Sequence, residues 1–457
     1  MSRDEEARAA DRHEAAREAL RQRLIPEVRT ALLSDREVRA WPTNWDERGE
    51  IGYFYRSGSL LTRDADIRRV HGALRALGAL PPEDADREAP DIRDAADGGA
   101  LISGLTRLAA QVRESQHTWN VVEDLDERLG VGVATHDHVF AVTTAPTAVA
   151  VCPATEPEPV ITPQQATDPA VVRAALWPPV GDREAGRGVR VAVVDTGLLQ
   201  GAAGWAPWLA GVRANTDSDV EDPDQLSLDA HGRGRDGYAD PYAGHGTFIS
   251  GVLRCVAPAS EITVDRILGP SGFATESRLI TQIHDALSRS PDLISMSAGG
   301  YTRRNVPPLS FQTLWEQRLS QVGGVVLVAA AGNNGRNVPF WPAAFPWCVG
   351  VGSMSRDGQR RSWFSNYGSW VDVYAPGEEI VNAYARMQYK TVVDAEIRDT
   401  TAGIVKWSGT SFATPIVSGL VAARMSRTGE NAQAAVGPLL DAARGQFRPG
   451  IGPRLFP

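Results

Sequence analysis

The chain has 457 residues, of which 42% are hydrophobic and 23% charged, and its formal net charge is −9. This is the composition of an ordinary globular protein with room for two or three domains. The negative charge, with no block of basic residues, excludes nucleic acid and an anionic membrane as expected partners.

The sequence shows neither a secretory signal nor a membrane span. Its first ten residues are heavily charged, and no apolar run approaches the roughly 20 residues that a span needs. The three cysteines, Cys152, Cys255 and Cys348, form an odd and sparse set that suits a reducing compartment better than a disulfide framework. We therefore expect a cytoplasmic location.

Residues 1–150 are predicted to form a small α+β region. Apolar residues at helical spacing predict an amphipathic helix over 64–78, ended by Gly78. The other expected elements are a helix over 4–24, a strand pair or bent strand over 52–62, a strand over 101–112, a helix over 119–129 and an extended stretch over 130–142.

Residues 151–185 are rich in proline at their start and carry acidic residues. Such a composition keeps a segment extended and exposed, which is typical of a linker. The sequence thus predicts a third region, residues 186–457, that begins after this linker.

The first residue of chemical interest is Asp195. A nearly continuous β-branched run over 188–194 predicts a parallel strand covered on both faces, and Asp195 ends it. A carboxylate is costly to bury without a partner, and a histidine N–H is such a partner. The alternative is that Asp195 only caps the turn formed with Thr196 and Gly197.

His245 lies between two glycines and opens an apolar segment over 247–253 that predicts a buried helix. The helix dipole disfavours a charged imidazole at this end, so a neutral His245 is a candidate general base. A lone histidine is more often structural or solvated, and the assignment depends on its companions.

Two further residues complete the set. Ser411 begins an apolar, small-residue helix in which Pro415 comes early enough to be tolerated, although a serine there could simply be an N-cap. Asn333 ends a buried strand that starts near residue 323, and its amide could stabilise an oxyanion, although Asn-Asn-Gly could be only a turn.

The order Asp…His…Ser is one of the known solutions to the geometry of a serine peptidase. On these motifs, residues from about 186 to 430 resemble the catalytic domain of the subtilisin-like (subtilase) serine peptidases. The resemblance implies Asp195, His245 and Ser411 as the catalytic triad and Asn333 as the oxyanion side chain. It also implies an α/β fold, a doubly wound and mainly parallel sheet with helices on both faces, here preceded by the smaller α+β region.

The resemblance also implies where a polypeptide substrate binds. The segment over 293–300 resembles the strand that forms the primary specificity pocket and one cleft wall, with Ser297, Ala298 and Gly299 as contacts. The segment over 269–275 resembles the edge onto which the substrate backbone adds as a β-strand. Its expected contacts are Gly272, Phe273 and Ala274.

The base of that pocket should come from residues 337–345, which are too divergent to interpret. Trp341 and Trp347 could narrow the pocket or fill the core. Phe248 stands where most family members repeat a histidine, a change expected to alter packing near the cleft and leave the triad intact.

Catalysis is expected to need no cofactor, and no metal ligand is assigned. The stretch over 251–264 is short, which implies that the tight calcium loop of secreted members is missing. Eight acidic residues between 217 and 240 could hold a structural calcium ion. Arg233 and Arg235 interrupt this run, however, and favour a solvated acidic loop.

The role of residues 1–150 stays open at this point. Their element order resembles, in outline, the inhibitory pro-domains of subtilases, which implies an inhibitor or a folding chaperone of the peptidase. Because a protease cleft accepts an extended, exposed chain, the linker predicts self-cleavage between about 143 and 185. The alternatives are a dedicated intracellular processing protease whose N-terminal domain recruits a partner, and a non-catalytic binding protein that keeps a subtilase shell.

Overall fold

The computed structural model describes residues 53–81, 100–111, 118–142, 154–221, 237–239, 242–268, 272–391 and 395–457. The helix expected over 4–24 lies outside these ranges. None of the helices in the described part of the chain is long and apolar enough to cross a membrane.

Residues 53–142 contain an antiparallel sheet and two helices. The strands are β1 (Tyr55–Arg63), β2 (Ala100–Ile102), β3 (Leu105–Ala109) and β4 (Ala134–Ala141), and the helices are α1 (Ile67–Leu77) and α2 (Thr118–Leu129). Strand β1 lies between β3 and β4. Both helices contribute to one small apolar core with this sheet, for example through Leu74 and Val121.

The described residues contain the expected helices over 64–78 and 119–129, whereas the single strand expected over 101–112 is replaced by two strands. Helix α1 ends at Gly78, whose φ of 63° is the left-handed conformation that glycine adopts without a steric cost. The expected strand over 101–112 is a hairpin, because Gly104 (φ 89°) turns the chain between β2 and β3.

Residues 154–185 differ from the extended, exposed linker expected from their prolines. Strand β5 (Glu158–Pro159) pairs with the strand Ile404–Trp407, and helix α3 (Pro169–Ala175) follows. Pro169 suits the first turn of this helix because its missing N–H needs no partner there. Val172 and Trp177 then pack against Val381, so the segment is anchored to the region that follows it.

The rest of the chain alternates strands and helices. The strands are β6 (Arg190–Asp195), β7 (Leu198–Leu199), β8 (Arg213–Ala214), β9 (Val220–Glu221), β10 (Glu261–Arg266), β11 (Phe273–Thr275), β12 (Leu293–Met296), β13 (Val326–Ala330), β14 (Cys348–Met354), β15 (Val373–Pro376), β16 (Ile380–Ala383), β17 (Gln388–Lys390), β18 (Ile397–Asp399) and β19 (Ile404–Trp407). The helices are α4 (His245–Val256), α5 (Glu276–Ser288), α6 (Leu309–Leu314), α7 (Thr410–Thr428) and α8 (Ala432–Gly445).

Seven of these strands form the central sheet, in the order β15-β14-β13-β12-β6-β10-β8, and every neighbouring pair is parallel. Along β6, Val191 and Val193 face a core shared with α4, α7 and α8. Ala192 and Val194 face the opposite core, shared with α5 and α6. Helices therefore cover both faces, which confirms the expected doubly wound α/β fold.

Strand β11 does not join the central sheet. It pairs with β4 in antiparallel register, Phe273 opposite Ala141 and Thr275 opposite Val139. The N-terminal sheet is thereby extended to five strands, in the order β11-β4-β1-β3-β2. The two regions of the chain are thus joined by a continuous ladder of backbone hydrogen bonds.

Candidate active site

Asp195 and His245 are brought together by the carboxyl end of β6 and the first residue of α4. A hydrogen bond of 2.7 Å joins His245 Nδ1 to Asp195 Oδ1, and both side chains are buried. Because a carboxylate only accepts, the proton of this bond is on Nδ1, which leaves Nε2 as the basic nitrogen. Asp195 Oδ1 also accepts the N–H of Thr196 at 2.8 Å.

The glycines that flank His245 are required by close packing. A Cβ atom at Gly246 would lie 2.3 Å from the carbonyl oxygen of Gly197, so only glycine lets the start of α4 approach the turn after β6. Gly244 has φ 72° and precedes the helix. The histidine is consequently fixed by backbone contacts on both sides.

Ser411 is the second residue of α7, and it is buried. Its Oγ lies 3.4 Å from the carbonyl oxygen of Ser297, and its own carbonyl accepts the Ser297 hydroxyl at 2.8 Å. The next residue, Phe412, has its ring centroid 5.5 Å from that of His245. In this structure the buried Nε2 of His245 makes no hydrogen bond with the described residues. Such contacts often tighten only when substrate binds.

Phe248 forms part of an aromatic wall behind the histidine. Its ring centroid lies 4.5 Å from that of Phe412 and 5.7 Å from that of Trp407. The Trp407 ring also meets His245 edge-on at 5.7 Å. The residue that replaces the usual histidine thus supports the site by packing.

Asn333 follows β13 and is oriented by Thr410. Its Oδ1 accepts both the backbone N–H and the hydroxyl of Thr410, each at 2.8 Å. Since Oδ1 accepts both of these bonds, the amide can donate only through Nδ2. Thr410 immediately precedes Ser411, so the amide and the serine are coupled through one residue.

The end of the N-terminal region lies in the expected substrate cleft. Ala141 and Gly299 exchange two backbone hydrogen bonds, of 2.9 and 3.0 Å, and the N–H of Val142 donates to the carbonyl of Gly272 at 2.9 Å. The same strand pairs with Phe273 and Ala274 through β11. Residues 139–142 therefore fill the groove between the two edges that the sequence predicted.

Ser297, Ala298 and Gly299 follow β12 and form one wall of this groove. A Cβ atom at Gly299 would lie 2.4 Å from the ring of Phe340, so the wall admits no side chain there. Trp341 pairs with Gly300 through its backbone, and its ring packs on Phe345.

Trp347 does not reach this wall. It stacks between Trp315 and Phe345, with ring centroids at 5.0 and 4.7 Å, and so fills the core.

The described residues do not form a metal site. They contain no group of three side chains with the chemistry and proximity to hold an ion. Arg254 of α4 donates to the carbonyls of Pro258 and Ser260, which lie between α4 and β10, and to that of Ala210.

The acidic stretch over 217–240 is only partly described. Asp219 accepts the N–H of Thr216 at 3.2 Å, and Glu221 accepts that of Gly244 at 3.0 Å. Each of these two carboxylates thus accepts a hydrogen bond from a backbone N–H. Most of the other acidic residues of the stretch lie outside the described residues.

Sequence reasoning assigned no role in the site to Glu221, which was one of many acidic residues in a stretch. The sequence distinguishes Glu221 only weakly, by its position directly after Val220 and before further acidic residues. It also did not anticipate that Phe140 of the N-terminal region would be fully buried against Phe311, at a ring distance of 5.7 Å.

Comparison with known proteins identifies the family to which this chain belongs. The model of the subtilase family matches residues 186–438. That match covers more than half of the chain, and the chain belongs to this family of serine peptidases.

Two relatives and one solved structure illustrate the similarity. Thermitase of Thermoactinomyces vulgaris is 31% identical over 262 residues, covering 57% of this chain and 83% of thermitase. An intracellular serine protease of Paenibacillus polymyxa is 30% identical over 260 residues, covering 54% and 69%. The crystal structure of a cold adapted subtilisin-like serine proteinase is 26% identical, covers 60% of this chain and 89% of its own, and has a TM-score of 0.41.

Proposed function

We propose that this protein is a serine endopeptidase that hydrolyses peptide bonds through Asp195, His245 and Ser411. The observation that carries the proposal is the buried 2.7 Å hydrogen bond between His245 Nδ1 and Asp195 Oδ1 beside the serine at the start of α7. A buried, charge-assisted bond of this kind fixes the imidazole tautomer and stabilises the imidazolium that forms during catalysis.

In the proposed mechanism, Ser411 Oγ attacks the scissile carbonyl while His245 Nε2 takes its proton. The oxyanion of the tetrahedral intermediate accepts hydrogen bonds from Asn333 Nδ2 and the backbone N–H of Ser411. His245 then protonates the leaving amine, and the acyl-enzyme is hydrolysed by water through the same residues.

Each of these roles falls to a side chain or backbone group of the chain itself, so we propose that catalysis needs no cofactor. We also propose that the stretch over 251–264 binds no calcium ion, because Arg254 already donates to the carbonyls of Pro258 and Ser260. Activity that survives dialysis against a chelator supports both proposals.

We propose that a polypeptide substrate follows the path that residues 139–142 take in this structure. Pairing with Gly299 on one side and with Gly272 and Phe273 on the other uses only backbone groups, which gives affinity with little side-chain selectivity. The N-terminal region therefore acts as an intramolecular inhibitor, since it holds the positions that substrate would need. This favours an inhibitory role over recruitment of a partner.

Contacts of the residues after 153 narrow the range of residues in which self-cleavage is expected, which the sequence placed between about 143 and 185. Thr155 is held beside the proposed nucleophile: the Thr155 N–H donates to the Ser408 carbonyl at 3.3 Å, and Trp407 Nε1 donates to the Thr155 carbonyl at 2.7 Å. Residues 154–185 then pack with the peptidase region. We therefore propose cleavage after Val142 and before Ala154. We also propose that the chain is divided into regions 1–150, 151–185 and 186–457, a division that rests on the sequence.

We also propose a cytoplasmic location. Cys255 and Cys348 are buried free thiols, and burial raises the pKa of Cys255 to about 12, so neither is poised to form a disulfide. Relatives from Paenibacillus polymyxa and Bacillus subtilis are named as intracellular proteases. Detection of the chain in the medium and not in the cell would contradict this.

The test is to purify the wild-type chain and Ser411→Ala and treat both with a fluorophosphonate that labels reactive serines. We expect label only on wild type, with intact mass and N-terminal sequencing showing a new terminus between residues 143 and 154. Labelling of an uncleaved chain would retain the peptidase and reject self-cleavage. Labelling of Ser411→Ala, or of neither protein after the N-terminal region has been removed, would reject the assigned nucleophile.

A further inference from the structure

A buried carboxylate that is not part of the triad lies close to residues adjacent to both Asp195 and His245. Glu221 ends the short strand β9 and is 2% exposed. Its Oε2 accepts the N–H of Gly244, the residue directly before His245, at 3.0 Å. Strand β9 itself pairs with β7, two residues beyond the turn that follows Asp195.

Glu221 also lies near Thr196, the residue that follows Asp195. The Thr196 hydroxyl lies near the Glu221 carboxylate and favours its ionised form, and the Thr196 oxygen accepts the N–H of Gly246 at 3.1 Å. Thr196 also donates its own N–H to Asp195. Glu221 thus holds Gly244 directly and the neighbouring Thr196 holds Gly246, so this pair of side chains contacts the residues on both sides of the proposed base.

Strand β9 packs tightly against the turn that follows Asp195. A Cβ atom at Gly197 would lie 2.6 Å from the carbonyl oxygen of Asp219 and 3.1 Å from Cγ of Glu221. Strand β9 is therefore pressed directly against the turn that carries Asp195. A change at Glu221 must alter the spacing between β6 and α4, and small misplacements of catalytic groups are costly.

We propose that Glu221 is a positioning residue of the catalytic centre, which sets the alignment of His245 on Asp195 and places a second negative charge behind that pair. This inference rests on the proposed function.

Burial raises the pKa of Glu221 from 4.5 to about 7, and the nearby charge of Asp195 acts in the same direction. The Gly244 N–H, the Thr196 hydroxyl and the charge of Arg266 oppose the shift. Glu221 therefore changes charge in the neutral range. When it is ionised it adds a negative charge that stabilises the imidazolium formed as Ser411 loses its proton.

The variants separate alignment from charge. Glu221→Gln keeps an acceptor for the Gly244 N–H and imitates the protonated carboxyl, whereas Glu221→Ala leaves that buried N–H without a partner. Asp265→Asn is the matched control, because Asp265 is also buried with a pKa raised to about 6, but its partner is Arg289.

The first measurement is the second-order rate constant for inactivation by a fluorophosphonate from pH 5.5 to pH 9, compared between wild type and variants that intact mass shows to be in the same cleavage state. We expect Glu221→Ala to be about 100-fold slower than wild type at pH 8. Glu221→Gln should stay within about 3-fold at pH 6 and fall to about 10-fold slower at pH 8, since it cannot gain the charge. Asp265→Asn should keep the wild-type profile. A wild-type profile in Glu221→Gln together with a rate within 3-fold in Glu221→Ala would overturn the proposal.

The second measurement does not depend on peptidase activity. In the Ser411→Ala chain, proton NMR detects the far-downfield resonance of the His245 Nδ1–H bonded to Asp195. This resonance should persist in Ser411→Ala/Glu221→Gln and be lost in Ser411→Ala/Glu221→Ala while the rest of the spectrum stays folded. If wild type does not react with the fluorophosphonate, the peptidase proposal fails, and the resonance still decides the role of Glu221: its loss supports the role and its persistence rejects it.

Discussion

Ala141 and Gly299 are hydrogen-bonded to each other through both of their backbone groups: the N–H of Ala141 donates to the carbonyl of Gly299 at 3.0 Å, and the N–H of Gly299 donates to the carbonyl of Ala141 at 2.9 Å. One residue belongs to the N-terminal region and the other to the cleft wall. The pairing places the last strand of the N-terminal sheet where the sequence predicts substrate.

Ala141→Pro is expected to loosen this docking. Proline cannot donate to Gly299 and does not fit the interior of a strand, and each lost backbone bond costs about 1 kcal/mol. In the Ser411→Ala chain, which cannot cleave itself, hydrogen exchange at the Gly299 amide should become at least about tenfold faster. Ala141→Gly keeps both backbone bonds and is the control. Equal exchange in the proline and glycine variants would show that the pairing does not hold the region in place.

Asn333→Ala is expected to lower turnover and leave substrate affinity nearly unchanged, because the lost donor acts on charge that develops only in the transition state. In subtilisin, a member of the same family, removing one such donor costs about 10²–10³ in kcat. Steady-state kinetics on a peptide substrate measures the effect. Asn334→Ala is the matched control, since Asn334 is also buried but accepts from the Tyr301 hydroxyl. A comparable loss in both variants would point to general disruption.

Residues at element boundaries were predictable from the sequence. Asp195 does end β6, and His245 is the first residue of α4, because a β-branched run and a glycine-flanked apolar segment specify these elements locally. Glu221 could not be identified in this way. Its role depends on Gly244 and Thr196, which are distant in sequence, and its local sequence is that of any solvated acidic loop.

The stretch over 154–185 illustrates the same limit. Its proline content indicates an extended segment, but the burial of Val172 and the pairing of Trp177 with Val381 depend on partners about 200 residues away. The composition of a segment indicates the entropy cost of ordering it, but it does not show whether residues distant in sequence provide a surface against which the segment packs.

Gly251→Ala is expected to destabilise the protein by about 1–3 kcal/mol. A Cβ atom at this position of α4 would lie 2.0 Å from Oδ1 of Asn382, the atom that accepts the N–H of Trp208 at 2.9 Å. Gly72→Ala is the control: it lies within α1 with no heavy atom within 4 Å of the new Cβ, so it should be stabilising by about 0.5–1 kcal/mol. Urea unfolding of the two variants in the Ser411→Ala chain tests the opposite signs. Similar midpoints would mean that Asn382 can move aside at little cost.

The stability of the protein is expected to depend on pH through a buried histidine of the N-terminal region. His136 on β4 is fully buried and stacks on the ring of Tyr55 at 4.1 Å. Burial holds the pKa of His136 well below 6.5, and the charges of His138 and Arg303 add to this. The other ionisable groups around the same layer are Asp126, Asp137 and Glu276.

Because the folded state binds the His136 proton less tightly than the unfolded state, this group's contribution is complete above pH 6.5 and is lost as the pH falls below it, by at most about 1.4 kcal/mol per pH unit. Asp137 acts in the opposite sense, since burial raises its pKa and its contribution decreases as the pH rises above 3.8. His136→Phe keeps the aromatic stacking and removes only the first effect. Urea unfolding of the Ser411→Ala chain at pH 7 and pH 5 should therefore show a smaller loss of stability in His136→Phe than in its parent. An equal loss in both proteins would assign the acid sensitivity to other groups.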